Sequence, residues 1–219
     1  MKSSQYIEDT RIPVGGSEVV GSFVIPKDAR NVVIFSHGSG SNFQSPRNKY
    51  IANRLHKEGF ATLLFDLLTE NEGFDIETRF NIPLLTDRLE RVTEWVREHP
   101  TAKGLGISYY GAGTGAAVAL CAAAKMGNAV QAIVSGSGRP DLAMQQLLEV
   151  KAPTLLIVGS LDESVVQLNR CSFRHLAGVR KLAIVEGASH FFNEPNKLEE
   201  LGHLTVSWFG KHLNKIEYA

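Results

Sequence analysis

Short, almost wholly apolar runs recur along this chain, and each leads into a longer stretch whose apolar residues fall at helical spacing. Asn31–Ser36 reads Asn-Val-Val-Ile-Phe-Ser, and Ala61–Phe65 and Thr154–Val158 are similarly apolar. A strand with one wet face alternates polar and apolar residues, whereas a run without alternation fits a strand buried on both faces. Pro83–Glu98, by contrast, carries Leu84, Leu85, Leu89, Val92 and Trp95 at helical spacing. Alternation of this kind predicts an α/β fold, a mostly parallel central sheet with helices on both faces. The expected strands are Val19–Ile25, Asn31–Ser36, Ala61–Phe65, Leu105–Tyr109, Val130–Ser135, Thr154–Val158 and Lys181–Val185. The expected helices are Asn48–Lys57, Pro83–Glu98, Thr114–Met126, Asp141–Leu148, Val165–Leu176 and Leu198–His212.

The chain has 219 residues and no Pro/Gly/Ser-rich stretch long enough to link two domains, so residues 1–219 are expected to form one domain. Lys+Arg and Asp+Glu both number 23, which argues against a general nucleic-acid surface or a polybasic membrane surface. Hydrophobic residues at 43% and charged residues at 21% fit a folded globule, not a disordered chain. The longest apolar run, Ala116–Ala124, ends at Lys125, well short of the ~20 residues of a membrane span. The opening Met-Lys-Ser-Ser-Gln-Tyr-Ile-Glu-Asp-Thr lacks the apolar core and cleavage site of a secretory leader, so a cytoplasmic location is expected. Cys121 and Cys171 are too few for a disulfide scaffold or a cysteine-only zinc site, and both are expected to be reduced and buried. With no His-Glu-x-x-His and no Cys/His pairs at ligand spacing, no metal and no cofactor are expected.

In sheets of this type, binding and catalytic groups collect beyond the carboxyl ends of the strands. Four such ends carry polar or Gly-rich loops: Ser36-His37-Gly38-Ser39-Gly40-Ser41-Asn42, Gly111–Gly115, Gly159-Ser160-Leu161-Asp162, and Glu186-Gly187-Ala188-Ser189-His190. Asp162 and His190 follow consecutive strands, which would bring their loops together. A carboxylate beside an imidazole holds one tautomer and stabilises the protonated ring, making the histidine a general base near neutral pH. Taken singly, Asp162 also fits a helix N-cap, and His190 a partly buried structural histidine.

The turn Gly111-Ala112-Gly113-Thr114-Gly115-Ala116 stands between strand and helix and fits two devices. It satisfies the dinucleotide pattern G-x-G-x-x-G/A. It also supplies the outer glycines of the nucleophile elbow G-x-S-x-G, with Gly113 where the elbow requires serine. Two features disfavour the dinucleotide. The turn follows about three strands instead of the first, and the next strand ends in Ser135-Gly136-Ser137-Gly138 where an acid is needed for the ribose. A purely structural glycine turn stays open beside these.

Taken together, these residues give the chain a resemblance to the α/β-hydrolase superfamily, and within it to the small bacterial dienelactone-hydrolase-like hydrolases. The resemblance runs over nearly the whole chain. His37–Asn42 with Ser45-Pro46-Arg47-Asn48 is similar to that group's oxyanion loop and first helix. Ala61–Thr69, Gly138-Arg139-Pro140-Asp141-Leu142, Ala152–Gly159 and Gly187-Ala188-Ser189-His190 also resemble it. The resemblance implies an α/β-hydrolase fold without a lid insertion, with Asp162 as triad acid and His190 as base. It implies an oxyanion hole from the backbone N–H groups of Thr114 and of the His37–Asn42 loop at Ser39. It implies a small carboxylic ester, thioester or lactone as substrate.

Position 113 departs from the pattern. Family members carry Ser or Cys there, and Gly113 has no nucleophile, so the covalent acyl-enzyme route is closed to the sequence as written. Gly113 therefore marks a lost nucleophile, whether by natural change or by deliberate substitution. Arg47, Arg79 and Arg139 lie near the expected mouth of the site, where each could clamp an anionic substrate or tie loops together. Two further readings stay open: a non-catalytic member that holds a small ligand, and a nucleotide-binding protein using the Gly111 loop. The sequence also leaves open dimerisation through a sheet edge or an apolar patch.

Overall fold

The computed structural model describes residues 5–38 and 40–213. Its strands are β1 (Gln5–Pro13), β2 (Glu18–Pro26), β3 (Asn31–Ser36), β4 (Ala61–Phe65), β5 (Gly106–Gly113), β6 (Val130–Gly138), β7 (Thr154–Gly159) and β8 (Arg180–Val185). Its α-helices are α1 (Pro46–Lys57), α2 (Ile76–Arg79), α3 (Ile82–Glu98), α4 (Thr114–Met126), α5 (Glu163–His175) and α6 (Lys197–Leu213). The strands form one sheet in the order β1-β2-β4-β3-β5-β6-β7-β8. From β4 through β8 all neighbours are parallel, while β1 pairs antiparallel with β2 and β2 antiparallel with β4.

The three runs without polar alternation, β3, β4 and β7, are buried at every position, as strands covered on both faces must be. One face packs against α3 and α4. Leu85, Leu89, Val92 and Val96 line one stripe of α3 and meet Ala117, Leu120 and Tyr109. The other face packs against α1 and α6, with Ile51, Leu55, Leu201 and Phe209 around Phe35 and Tyr110. Among the described residues no helix is long and apolar enough to cross a membrane.

Several boundaries differ from expectation for identifiable reasons. Strand β1 carries Glu8, Asp9 and Arg11 among its apolar residues and so hides its period, yet Thr10 and Ile12 are buried against the sheet. Strands β5 and β6 run on through glycines that read as turns, because the ladder continues to pair Gly111 with Ser135 and Gly113 with Gly138. The helix expected over Asp141–Leu148 is instead two 3-10 turns, Pro140–Ala143 and Leu147–Glu149. Eight residues hold too few helical hydrogen bonds to repay nucleation, and single tight turns connect the elements at less entropic cost. Cys171 is exposed on α5, not buried, whereas Cys121 is buried in α4.

Helix α1 presses His56 partly into the protein, where its Nε2 lies 2.7 Å from Thr62 Oγ1. Burial pushes its pKa down to about 4 from the ordinary 6.5. The unfolded chain therefore binds a proton between these values that the folded chain refuses. This contribution to stability is complete above pH 6.5 and is lost as pH falls toward 4. Urea midpoints should show it: at pH 5 the native protein loses about 1–2 kcal/mol through this group, and His56→Gln removes that loss. Identical acid sensitivity in both proteins would refute the assignment.

Candidate functional site

The turn from β5 into α4 is tight because strand and helix approach too closely for side chains. A Cβ on Gly111 would lie 2.5 Å from Ala116 Cα, and one on Gly115 would lie 2.1 Å from the Ser36 carbonyl oxygen and 2.5 Å from that of His37. Gly113 at the apex is different in kind. Its backbone sits at φ +54°, ψ −129°, where glycine is favoured, but among the described residues outside the turn itself a Cβ there would meet only Gly38 Cα, at 3.5 Å. The apex thus has the positive φ of an elbow and room for a side chain it does not carry. The Arg139 N–H donates to the Gly113 carbonyl at 2.9 Å. Beside it β6 bulges: Ala112 pairs with Gly136 and Gly113 with Gly138, so Ser137, at φ +46°, opposes no residue.

The loop after β3 packs its backbone onto this apex. A Cβ on Gly38 would stand 3.0 Å from the Ala112 oxygen and 3.5 Å from Thr114 N, so the two backbones approach closely there. His37 holds the loop from below. Its Nδ1 is 3.1 Å from the Gly38 carbonyl, and its Nε2 accepts from Leu67 N at 3.4 Å and lies 3.3 Å from Asp66 Oδ1. Asp66 in turn accepts from Phe43 N at 2.8 Å. Thr114 is buried at the start of α4. Ser39, the other expected oxyanion donor, lies outside the described residues.

Asp162 and His190 are brought together. Asp162 stands at the N-cap of α5, but its side chain makes no capping bond and turns instead to His190, with Oδ2 2.6 Å from Nδ1. The loops carrying them are stitched by Leu161 N to Ala188 O at 3.0 Å, Ser160 N to Val185 O at 2.9 Å, and Gly187 N to Ser160 Oγ at 2.9 Å. Gly159 permits this approach, since a Cβ there would fall 2.2 Å from the Ala188 oxygen. With Nδ1 donating to the carboxylate, Nε2 is the nitrogen left to exchange a proton. The Asp162 side chain is 16% exposed and that of His190 36%, so the acid is sheltered and the base can be reached from solvent.

The three arginines have different employments. Arg139 binds Asp141 through both ends of its fork, at 2.9 and 2.8 Å, and that bond raises its already high pKa. Arg47 donates to the His190 carbonyl at 3.3 Å, with its guanidinium 5.6 Å from the Phe191 ring centre. The Arg79 side chain makes no hydrogen bond or ion pair among the described residues. It lines a cleft of about 690 Å³ together with His37, Gly38, Ser41 and Asp66. Gly38 is shared by cleft and elbow, so the cleft opens beside the apex.

Sequence reasoning missed Asp66 and the anchor of the cleft's outer wall. Arg88, buried in α3, donates to the Leu67 carbonyl at 3.0 Å and grips the Glu72 carboxylate with both ends of its fork. That grip holds the Glu72 carboxyl down to about pKa 2. Thr69 completes the anchor, donating to Glu72 from N at 2.9 Å and from Oγ1 at 2.7 Å. An arginine inside an amphipathic helix gives no sign of such a partner, whereas Asp66, directly after a buried strand, is a signal that could have been read.

An elbow, a backbone loop folded onto it, and an acid–histidine pair on the last two strand ends define an α/β-hydrolase. The chain belongs to the dienelactone hydrolase family, which residues 19–203 match. A solved dienelactone hydrolase from Anabaena variabilis is 43% identical, covers 95% of this chain and 98% of its own, and superposes with a TM-score of 0.92. Est1E from Butyrivibrio proteoclasticus shares the fold at TM-score 0.81 and 14% identity, over 93% of this chain and 98% of its own. Two Mycobacterium tuberculosis proteins, each named "Putative phosphoribosyl transferase", are 45% identical over 206 residues, 94% of this chain. The chain spans about half the length of these curated relatives, 46% of each.

Proposed function

We propose that the site is built to cleave small carboxylic esters, thioesters or lactones and lacks a single oxygen, that of the nucleophile at position 113. The observation that carries this reading is the apex itself. Gly111 and Gly115 are demanded by contact, while Gly113 keeps the elbow's positive φ with space for a side chain. In this reading the Thr114 N–H and the His37–Asn42 backbone, with Ser39, receive the charge that develops on a carbonyl oxygen. His190, held by Asp162, moves the proton. More than half the length of the mycobacterial relatives lies outside the match. What supports ester chemistry in this chain is its own elbow, loop and Asp162–His190 pair.

A fluorophosphonate label tests the reading directly. Gly113→Ser should be labelled at position 113 and the parent should not. An unlabelled, folded serine variant would sink the reading. The runner-up is a non-catalytic member that holds a small ligand in the same cleft, and the absent nucleophile is what favours it. Calorimetric ligand binding without turnover even in Gly113→Ser would establish it.

Substrate charge is assigned to Arg79, whose side chain alone of these three arginines has no partner among the described residues, and Arg47 is assigned to positioning the His190 loop. In the Gly113→Ser background, Arg79→Ala should raise KM for an anionic ester roughly 10- to 100-fold and leave a neutral ester nearly unchanged. Arg47→Ala should lower kcat for both esters alike. Equal effects of Arg79→Ala on the two esters would remove the clamp. A small-molecule ester or lactone is then the partner, with no cofactor.

A further inference from the structure

We propose that the outer edge of β8 is a docking site for an acidic, extended segment of a partner protein, which adds to the sheet as a further strand. Strand β8 is last in the sheet, so one of its edges has no strand beside it. The ladder with β7 fixes which groups lie on that edge. Thr154 N donates to the Val179 carbonyl at 2.8 Å, and Ser160 N donates to the Val185 carbonyl at 2.9 Å. Between them the parallel register is unbroken, from Thr154 opposite Arg180 to Gly159 opposite Val185. Residues that bond to a parallel neighbour alternate along a strand. Lys181, Ala183 and Val185 therefore bond to β7, and Arg180, Leu182 and Ile184 turn their N–H and C=O groups outward. Those outward groups have no hydrogen-bond partner among the described residues. Such a row is a template for another chain.

Charge says what that chain must carry. Lys+Arg and Asp+Glu balance over the whole protein, yet residues 164–185 hold Arg170, Arg174, Arg180 and Lys181 and no carboxylate. All of these cations are exposed, and none forms an ion pair among the described residues. On α5, Arg170, Phe173 and Arg174 share one face at helical spacing. The Arg180 guanidinium lies 5.3 Å from the Phe173 ring centre and donates to the Leu176 carbonyl. Guanidinium groups from helix and strand thus gather around Phe173, at the start of the free edge. Lys181 projects from the other face of the sheet. The far end of the edge is apolar, with Ile184 37% exposed. The opposite edge strand, β1, mixes Glu8 and Asp9 with Arg11 and has no such bias.

The partner that fits is an extended peptide with acidic side chains beside Arg180 and Lys181 and apolar ones beside Ile184. Main-chain pairing gives affinity for any extended chain, and the cations select an acidic one. A nucleic acid would meet the charge but has no use for a row of backbone N–H and C=O groups.

The test uses the full chain and a fluorescein-labelled peptide, Asp-Glu-Asp-Val-Ile-Val, with its reversed sequence to cover both strand directions. Fluorescence polarisation should show saturable binding of one of the two, weakened about tenfold by Arg174→Glu or by Lys181→Glu. Residue-resolved amide exchange reads the pairing itself. In the free protein the amides of Arg180, Leu182 and Ile184 should exchange faster than those of Lys181, Ala183 and Val185. Bound peptide should slow the first set on the order of tenfold or more. Absence of binding by both peptides would overturn the proposal, and so would binding that leaves those three amides unprotected. An oligonucleotide that displaces the peptide at equal concentration would overturn the choice of partner. A chain that sediments as a dimer with the three amides already protected would put a second copy of itself on the edge, and the proposal would fall.

Discussion

Replacing Gly113 with serine is expected to raise turnover of p-nitrophenyl acetate on the order of a thousandfold or more, with a burst of p-nitrophenol equal to the enzyme present. The reason is that nucleophile, base and oxyanion donors act as a unit, so restoring the absent member restores the whole and not a share of it. The serine Cβ meets Gly38 Cα at 3.5 Å, an ordinary contact, so among the described residues no neighbour has to move. The same background then exposes the role of Asp162. Asp162→Asn removes the acceptor that holds Nδ1–H at 2.6 Å and should lower kcat on the order of 10³- to 10⁴-fold. Stopped-flow absorbance separates burst from steady state. A serine variant that folds and shows neither burst nor turnover would falsify the assignment of position 113.

Two residues along, the opposite outcome is expected. Gly115→Ala should lower stability by about 3 kcal/mol or more, because its Cβ would be driven against two backbone carbonyls of the β3 strand end and cannot be relieved by a rotamer change. For a chain of this size that is a fall in Tm of roughly 6–12 °C. Gly113→Ala is the control, with strain from its positive φ but no collision. Calorimetry of the two variants should rank them in that order. A Gly115→Ala protein as stable as the parent would mean that the elbow has slack its geometry denies.

Much of the architecture was written in the apolar runs. Asn31–Ser36, Ala61–Phe65 and Thr114–Met126 stand where hydrophobic pattern alone places them. What pattern could not reach was governed by pairing and partners. Gly111–Gly113 and Gly136–Gly138 look like turns in isolation, and only the ladder between them makes them strand. The polar residues of β1 mask a buried face. In the site, the Asp162–His190 meeting was legible because each stands alone at a strand end, and its geometry follows from consecutive parallel strands. The division of labour among Arg47, Arg79 and Arg139 was not legible. An arginine's employment depends on which carboxylate or carbonyl comes within reach: Asp141 stands only two residues from Arg139, but the His190 carbonyl is brought to Arg47 by tertiary folding.

The positive φ at the apex also sets a direction for any exchange of residues there. A serine at φ +54° must be held there against a backbone preference of about 1–3 kcal/mol, and a glycine rests there unforced. An exchange of serine for glycine at such an apex therefore makes a protein sturdier at the moment it removes the nucleophile. Only selection for turnover keeps an oxygen at such an apex. Once that selection lapses, the relaxed state is self-reinforcing, because every later mutation is accepted on the firmer background and a returning serine must find that firmness still unspent.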